Sequence, residues 1–363
     1  MQARVIALYL PQYHPIPEND QWWGKGFTEW TNVGKAKPLF KNHYQPRVPK
    51  DLGYYDLRVP ETRKAQADMA REYGVEGFCY WHYWFGNGKR LIERPFNEVV
   101  NSGEPDFPFC LAWANESWKG FDHGLKNRNM LIEQLYPGEE DYTNHFYELL
   151  PAFKDKRYIQ VQGKPLFMIY KPLASEEIKT FIKVWRKLAK ENGLEDFYFI
   201  GHSNNSTVSV EDVLKTGVDA VNTVRLDYYQ IKERGQFERL VQNLRKQFLS
   251  TAQRYSYKKV SKSFVAPEID TKDNVYPSIV SGWDHTPRSH KEGLVLTDFT
   301  PENFDTHVQD VLKIVENKPD EHKIVFIKSW NEWAEGNYME PDIKWGLKFL
   351  EVLKKNLHNN LKK

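Results

Sequence analysis

The run Ile324-Val325-Phe326-Ile327-Lys328-Ser329 passes without a break into Trp330-Asn331-Glu332-Trp333-Ala334-Glu335-Gly336-Asn337-Tyr338-Met339-Glu340-Pro341. Its first half is a short apolar stretch of the kind that forms a fully buried strand, and its second half crowds carboxylates among aromatic rings just past the strand tip. Working back from it, seven more such runs occur, at residues 5–10, 75–80, 109–113, 166–170, 197–201, 220–223 and 264–268. Longer amphipathic segments between them predict helices over 60–73, 142–153, 175–192, 237–251, 301–316 and 345–357. Val59-Pro60-Glu61-Thr62 puts a proline and a carboxylate at a helix start, where the unpaired amides favour both.

Eight alternating βα units predict an α/β chain closed as a (β/α)8 TIM barrel. An open doubly wound sheet is the alternative, but no glycine-rich phosphate turn follows the first run. With no linker or low-complexity tract, residues 1–363 are expected to form one domain. The connections 11–59 and 269–300 are far longer than ordinary βα loops and predict lids or binding loops.

Composition narrows the function. The 51 basic and 49 acidic residues nearly cancel, so no broad basic field exists to attract nucleic acid or anionic lipid. The first apolar run stops at Pro11, too short for a secretory core or a bilayer span, which predicts a cytoplasmic chain as written. Removal of an export signal would make it periplasmic or surface-located instead. Cys79 and Cys110 each lie in a strand-like run and are expected to stay reduced and buried. Aromatic residues make up 15% of the chain, and ten of its twelve tryptophans fall at or after strand ends, on one rim of the expected barrel. Sugars present apolar C–H faces and hydroxyl edges, which suit flat rings beside carboxylates and amides, so the expected partner is an oligo- or polysaccharide.

Candidate residues follow from those strand ends. Beyond the second strand, alternation sends Tyr80, His82 and Trp84 to one side and Trp81 and Tyr83 to the other, and one set should face the pocket. Beyond the third come Trp113, Asn115 and Glu116. The seventh is expected to deliver Glu268 and Asp270, with Trp283 and Arg288 following in the long loop. Beyond the eighth, Trp330, Asn331, Trp333 and Glu340 surround Glu332 and Glu335. Glycoside cleavage needs one group to protonate the departing oxygen and another to assist the anomeric carbon, and two carboxyls in different environments divide that work. No motif requires a cofactor or metal, although Glu268, Asp270, Asp273 and Asn274 offer oxygen ligands of the calcium type.

At these motifs the chain resembles the WbsX-type proteins of bacterial O-antigen loci and, through them, the endo-α-mannosidases of glycoside hydrolase family 99. The likeness rests on Leu8-Tyr9-Leu10-Pro11-Gln12-Tyr13-His14-Pro15, Gly26-Phe27-Thr28-Glu29-Trp30, Gly77-Phe78-Cys79-Tyr80-Trp81, Trp113-Ala114-Asn115-Glu116, Trp283-Asp284-His285-Thr286-Pro287-Arg288 and residues 330–341. It implies that Tyr13 and Trp30 join the substrate-binding set, that Glu332 acts as base on a sugar 2-hydroxyl, and that Glu335 is the general acid/base at the glycosidic oxygen. Configuration would be retained through a 1,2-anhydro sugar. Ala334 stands where the hydrolases carry histidine, which bears on substrate choice. The expected activity is therefore an endo-acting, retaining glycoside hydrolase on a bacterial polysaccharide or α-mannan-like glycan. The alternatives are a glycosyltransferase of O-antigen, lipopolysaccharide or capsule assembly, although no Asp-x-Asp motif occurs, and a glycan-binding barrel without activity.

Overall fold

The computed structural model describes residues 3–120, 129–203, 207–249 and 251–359. Eight parallel strands form the centre: β1 Arg4–Tyr9, β2 Gly77–Trp84, β3 Phe109–Trp113, β4 Lys164–Ile169, β5 Tyr198–Ser203, β6 Ala220–Thr223, β7 Val275–Val280 and β8 Ile324–Lys328. Each pairs with its neighbours in sequence, and β8 returns to β1 with Arg4 opposite Ile324 and Ala7 opposite Ile327. The sheet is thus a closed (β/α)8 barrel. Strands covered on both faces need apolar side chains throughout, and every residue of β2, β3 and β7 is buried.

Helices pack outside by one apolar face. In Glu177–Glu191 the buried set is Ile178, Phe181, Ile182, Trp185, Leu188 and Ala189, at the 3–4 spacing that aligns one helical stripe. Each large side chain buried there stabilises by about 1.5–3 kcal/mol before ordering costs. Pro60 opens Pro60–Glu72 as the sequence implied, and Thr300 caps Pro301–Val315 by accepting from the Asn303 amide.

One strand assignment is corrected. Residues 264–268 do not form the seventh strand: Phe264 follows a tight turn at Ser261–Ser263, and Pro267–Asp270 is a helical turn. The strand is Val275–Val280, which contains Pro277, a residue that argues against a central strand. The barrel tolerates it because Pro277 lies opposite Thr223, where β6 and its ladder end. Cys79 and Cys110 are free, buried and in register on β2 and β3. Among the described residues no helix is long and apolar enough to cross a membrane.

With β7 inside it, the expected connection 269–300 shrinks to 281–300, and that loop meets the first long connection over the C-terminal rim. The first carries short helices Pro17–Trp23 and Glu29–Lys35. The second carries the helical turn Thr286–Ser289, then Leu294–Thr297, which pairs with Gln253–Ser256.

Candidate active site

The loop after β8 is built so that its acids cannot wander. Asn331–Glu332 pairs antiparallel with Asn337–Tyr338, and Trp333–Glu335 forms one tight turn between them. The Asn331 side chain continues the β1–β8 ladder in place of backbone, accepting from the Leu10 amide at 2.7 Å and donating to the Leu10 carbonyl at 3.0 Å. Gly336 closes the turn at φ 58°, and a Cβ there would lie 2.7 Å from Asp284 Cβ. Buried Asp284 accepts from Gln45 and Thr286, meets His43 Nε2 at 2.8 Å, and donates its amide to the Glu335 carbonyl at 2.6 Å. The second long loop is thereby fastened to the turn that carries Glu335.

Glu332 and Glu335 both open into one cavity of about 410 Å³, within the usual range for ligand pockets. Arg288 lies between them. Its Nη1 donates to Glu335 Oε1 at 2.5 Å, and its Nη2 is 3.5 Å from Glu332 Oε2, too far for a hydrogen bond of normal strength. Its Nε donates to Glu29 Oε2 at 3.2 Å, and Glu29 is fully buried. Although burial works against its charge, these three carboxylates hold Arg288 above its ordinary value. Glu332 is pushed up to about 8, first by burial and then by Glu335, against the pull of Arg288 and Lys328. At neutral pH the pair therefore carries one proton, on Glu332, while its neighbour is ion-paired. His285 Nε2 is 3.8 Å from Glu335 Oε1, and its Nδ1 meets Ser289 Oγ at 2.6 Å; burial lowers its pKa.

Of the aromatic alternation beyond β2, Trp81 and Tyr83 face the cavity, together with Trp118, Tyr170 and Trp283. Glu116 also lines it, ion-paired with Lys171, as do Arg288 and Lys328. A second cavity, also of about 410 Å³, shares Tyr170, Trp283, Glu292, Lys328 and Glu335 with the first and continues past Leu226, Asp227 and Gln253. Glu335 thus stands where two cavities join.

The other expected site residues lie elsewhere. Tyr80, His82 and Trp84 point outward: Tyr80 packs on Phe96, His82 Nε2 meets His145 Nε2 at 2.7 Å, and Trp84 donates to Asp141 at 2.9 Å. Trp113 packs on Phe181 and donates to the Trp84 carbonyl at 2.9 Å, while Asn115 joins the β3 and β4 ends through Lys171. Tyr13, Trp30, Trp330, Asn331, Trp333 and Glu340 form a floor behind the acids rather than the cavity wall. Tyr13 donates to the Asn331 carbonyl, and Trp30 donates to the Tyr55 carbonyl at 2.7 Å. Glu340, pushed up to about 7 by burial against its hydrogen bonds, accepts from Trp333 at 2.6 Å, Gln66 at 2.6 Å and Tyr55 at 2.9 Å.

Glu268 and Asp270 follow the displaced strand. Glu268 is exposed, whereas Asp270 is buried and clasped by Arg225 at 2.5 and 2.8 Å. Asp270 is thus paired with a cation, and among the described residues no group of three or more His, Cys, Asp or Glu is gathered to hold a metal.

Site residues not anticipated from sequence include Glu29, Trp118, Tyr170, His285 and Lys328. Tyr170 and Lys328 were readable as strand-tip residues; Glu29 was not, because its partner lies 259 positions away.

The model of the family described as "Glycosyltransferase WbsX" matches residues 5–353. "Uncharacterized protein WxcX" of Xanthomonas campestris pv. campestris strain B100 is 33% identical over 359 residues, which cover 98% of this chain and 50% of that protein. The chain therefore spans about half the length of the curated relatives it matches, a second strain's protein giving the same identity and coverage over 363 residues. Among solved structures, the family 99 endo-α-mannosidase of Bacteroides thetaiotaomicron superposes with a TM-score of 0.58 at 16% identity, over 99% of this chain and 98% of that one. A "Glycoside hydrolase-like protein" gives 0.61 at 15% identity, over 98% and 94%. At such identities the likeness speaks for the barrel alone, whereas the family match runs from β1 past β8 and through the acid pair: this chain belongs to the WbsX glycosyltransferase family.

Proposed function

We propose that this barrel is an endo-acting, retaining glycoside hydrolase in which Glu332 and Glu335 share the proton transfers across one saccharide. The observation that carries the reading is the acid pair itself: two carboxyls opening into one aromatic-lined cavity, with Glu332 pushed up to about 8 and Glu335 paired to Arg288. Endo action is supported by the second cavity beyond Glu335, since an internal cleavage needs room for sugar on both sides of the acids. Indole and phenol rings on the walls suit the C–H faces of a polysaccharide of bacterial or α-mannan type.

The roles follow the resemblance to family 99. On substrate binding the pair's single proton passes from Glu332 to Glu335; ionised Glu332 then takes the 2-hydroxyl proton, the sugar O2 attacks the anomeric carbon to give a 1,2-anhydro sugar, and Glu335 gives its proton to the departing glycosidic oxygen. Water then opens the three-membered ring with the proton transfers reversed. The working state is the pair carrying one proton. Because that proton is shared, its loss near pH 8 belongs to the pair, and activity should fall above it.

The test uses bacterial polysaccharides and aryl glycosides. Glu335→Gln should retain activity on an aryl glycoside whose leaving group needs no proton, while Glu332→Gln should lose at least about 100-fold on both substrates. Equal rates for both variants and the parent protein would refute the pair. The family's description favours a second reading, a glycosyltransferase of surface-polysaccharide assembly. Thermal stabilisation by a sugar nucleotide, with no hydrolysis of any glycan, would establish that reading instead.

A further inference from the structure

The motif Gly26-Phe27-Thr28-Glu29-Trp30 leaves one residue without a role in the proposed reaction. Glu29 begins the helix Glu29–Lys35, is fully buried, and is absent from the cavity wall. Its Oε2 accepts from Arg288 Nε at 3.2 Å and from Asn32 Nδ2 at 3.3 Å, and lies 3.2 Å from Arg288 Nη2; its Oε1 has no partner.

The geometry explains what that carboxylate does. A guanidinium has two edges to offer. Glu29 occupies the Nε side and draws on Nη2, so Nη1 alone makes a short bond to Glu335. Glu332 Oε2 is left with a 3.5 Å approach and no hydrogen bond. We propose that Glu29 is a positioning residue for the acid pair: by holding Arg288 through Nε and Nη2, it keeps the guanidinium away from Glu332 and directs it to Glu335. The other groups with charge facing Glu332 are Glu335 and Lys328, with the Tyr13 and Tyr83 hydroxyls nearby; His285 faces Glu335. None of them contacts Arg288 Nε as Glu29 does. Removing the Glu29 charge acts in one direction by two routes: a like charge disappears, and Arg288 becomes free to turn toward Glu332.

The test reads the proton directly. The infrared carbonyl band of protonated Glu332, assigned by its loss in Glu332→Gln, is titrated in the parent protein and in Glu29→Gln and Glu29→Asp. The midpoint should drop by about one pH unit in Glu29→Gln, the lower end of the effect of a nearby opposite charge. In Glu29→Asp, which keeps the charge but shortens its reach, the drop should be smaller. The alkaline limb of kcat/KM should move with the band; this kinetic arm rests on the hydrolase reading above, and the spectroscopic arm does not. Absence of glycan turnover with a shifted band would remove the reaction and leave the role of Glu29 intact. An unmoved band in folded Glu29→Gln, with only a lower Tm, would overturn the proposal. If Glu29→Gln fails to fold, an unmoved band in Glu29→Asp overturns it equally.

Discussion

Replacing Glu332 by glutamine should make the protein more stable in alkali while abolishing its turnover. The side chain keeps its shape but loses the proton whose position the fold controls. In the folded protein Glu332 is pushed from an ordinary 4.5 up to about 8, with burial the largest cause. A folded value above the unfolded one means that folding favours the protonated form. Stability is therefore full below about 4.5, declines as pH rises from 4.5 to 8, and is flat beyond. The whole decline amounts to about 5 kcal/mol, of which about 3 kcal/mol is already lost at pH 7. For a chain of 363 residues the unfolding entropy is about 0.8 kcal/mol per kelvin. Glu332→Gln should accordingly melt about 6 °C above the parent at pH 9 and within about 1 °C of it at pH 4. Scanning calorimetry of both proteins at half-unit pH steps, alongside polysaccharide hydrolysis, measures the two effects together. Stability gained where activity is lost marks a group kept for chemistry rather than for packing. Melting curves that run parallel from pH 4 to 9 would refute the reasoning, because Glu332 would then titrate alike folded and unfolded.

Other outcomes follow from the same geometry. Gly336→Ala should cost about 2–4 kcal/mol, from the left-handed backbone and the 2.7 Å approach to Asp284, and should displace Glu335; an unchanged Tm by calorimetry would show that the turn yields freely. Trp81→Ala should weaken glycan binding at least about 10-fold as well as lower Tm, whereas Trp84→Ala should cost about 3–5 kcal/mol of stability and leave affinity alone. Isothermal titration with an oligosaccharide, paired with melting curves, distinguishes the two rings. Trp333→Ala should behave like Trp84→Ala, because Trp333 stacks on Tyr338 at 3.8 Å and is 1% exposed; loss of affinity without loss of Tm would return it to the binding wall.

Where sequence reading succeeded and failed has a common cause. Seven of the eight strands were legible because a strand buried on both faces must be apolar along its length, and that signal is local. The seventh was misplaced because Pro277 disguises Val275–Val280, and the position that excuses the proline, opposite the end of β6, exists only once the strands are paired. The alternation beyond β2 correctly divided the rings into two sets. Which set faced inward depended on where the outer helices lay, and His145 and Asp141 on Glu139–Phe153 claimed His82 and Trp84.

By itself the sequence determined the barrel, its aromatic-rich rim and the two acids past the last strand, since each is written in neighbouring residues whose spacing fixes their side of the chain. Only the tertiary structure decided which aromatic rings line the cavity, that Asp270 belongs to Arg225, and that Glu29 shares one guanidinium with Glu332 and Glu335. Charges interact through space with a strength set by burial and separation. Groups 259 positions apart along the chain, such as Glu29 and Arg288, act on one another only when folding brings them together and expels the water between them.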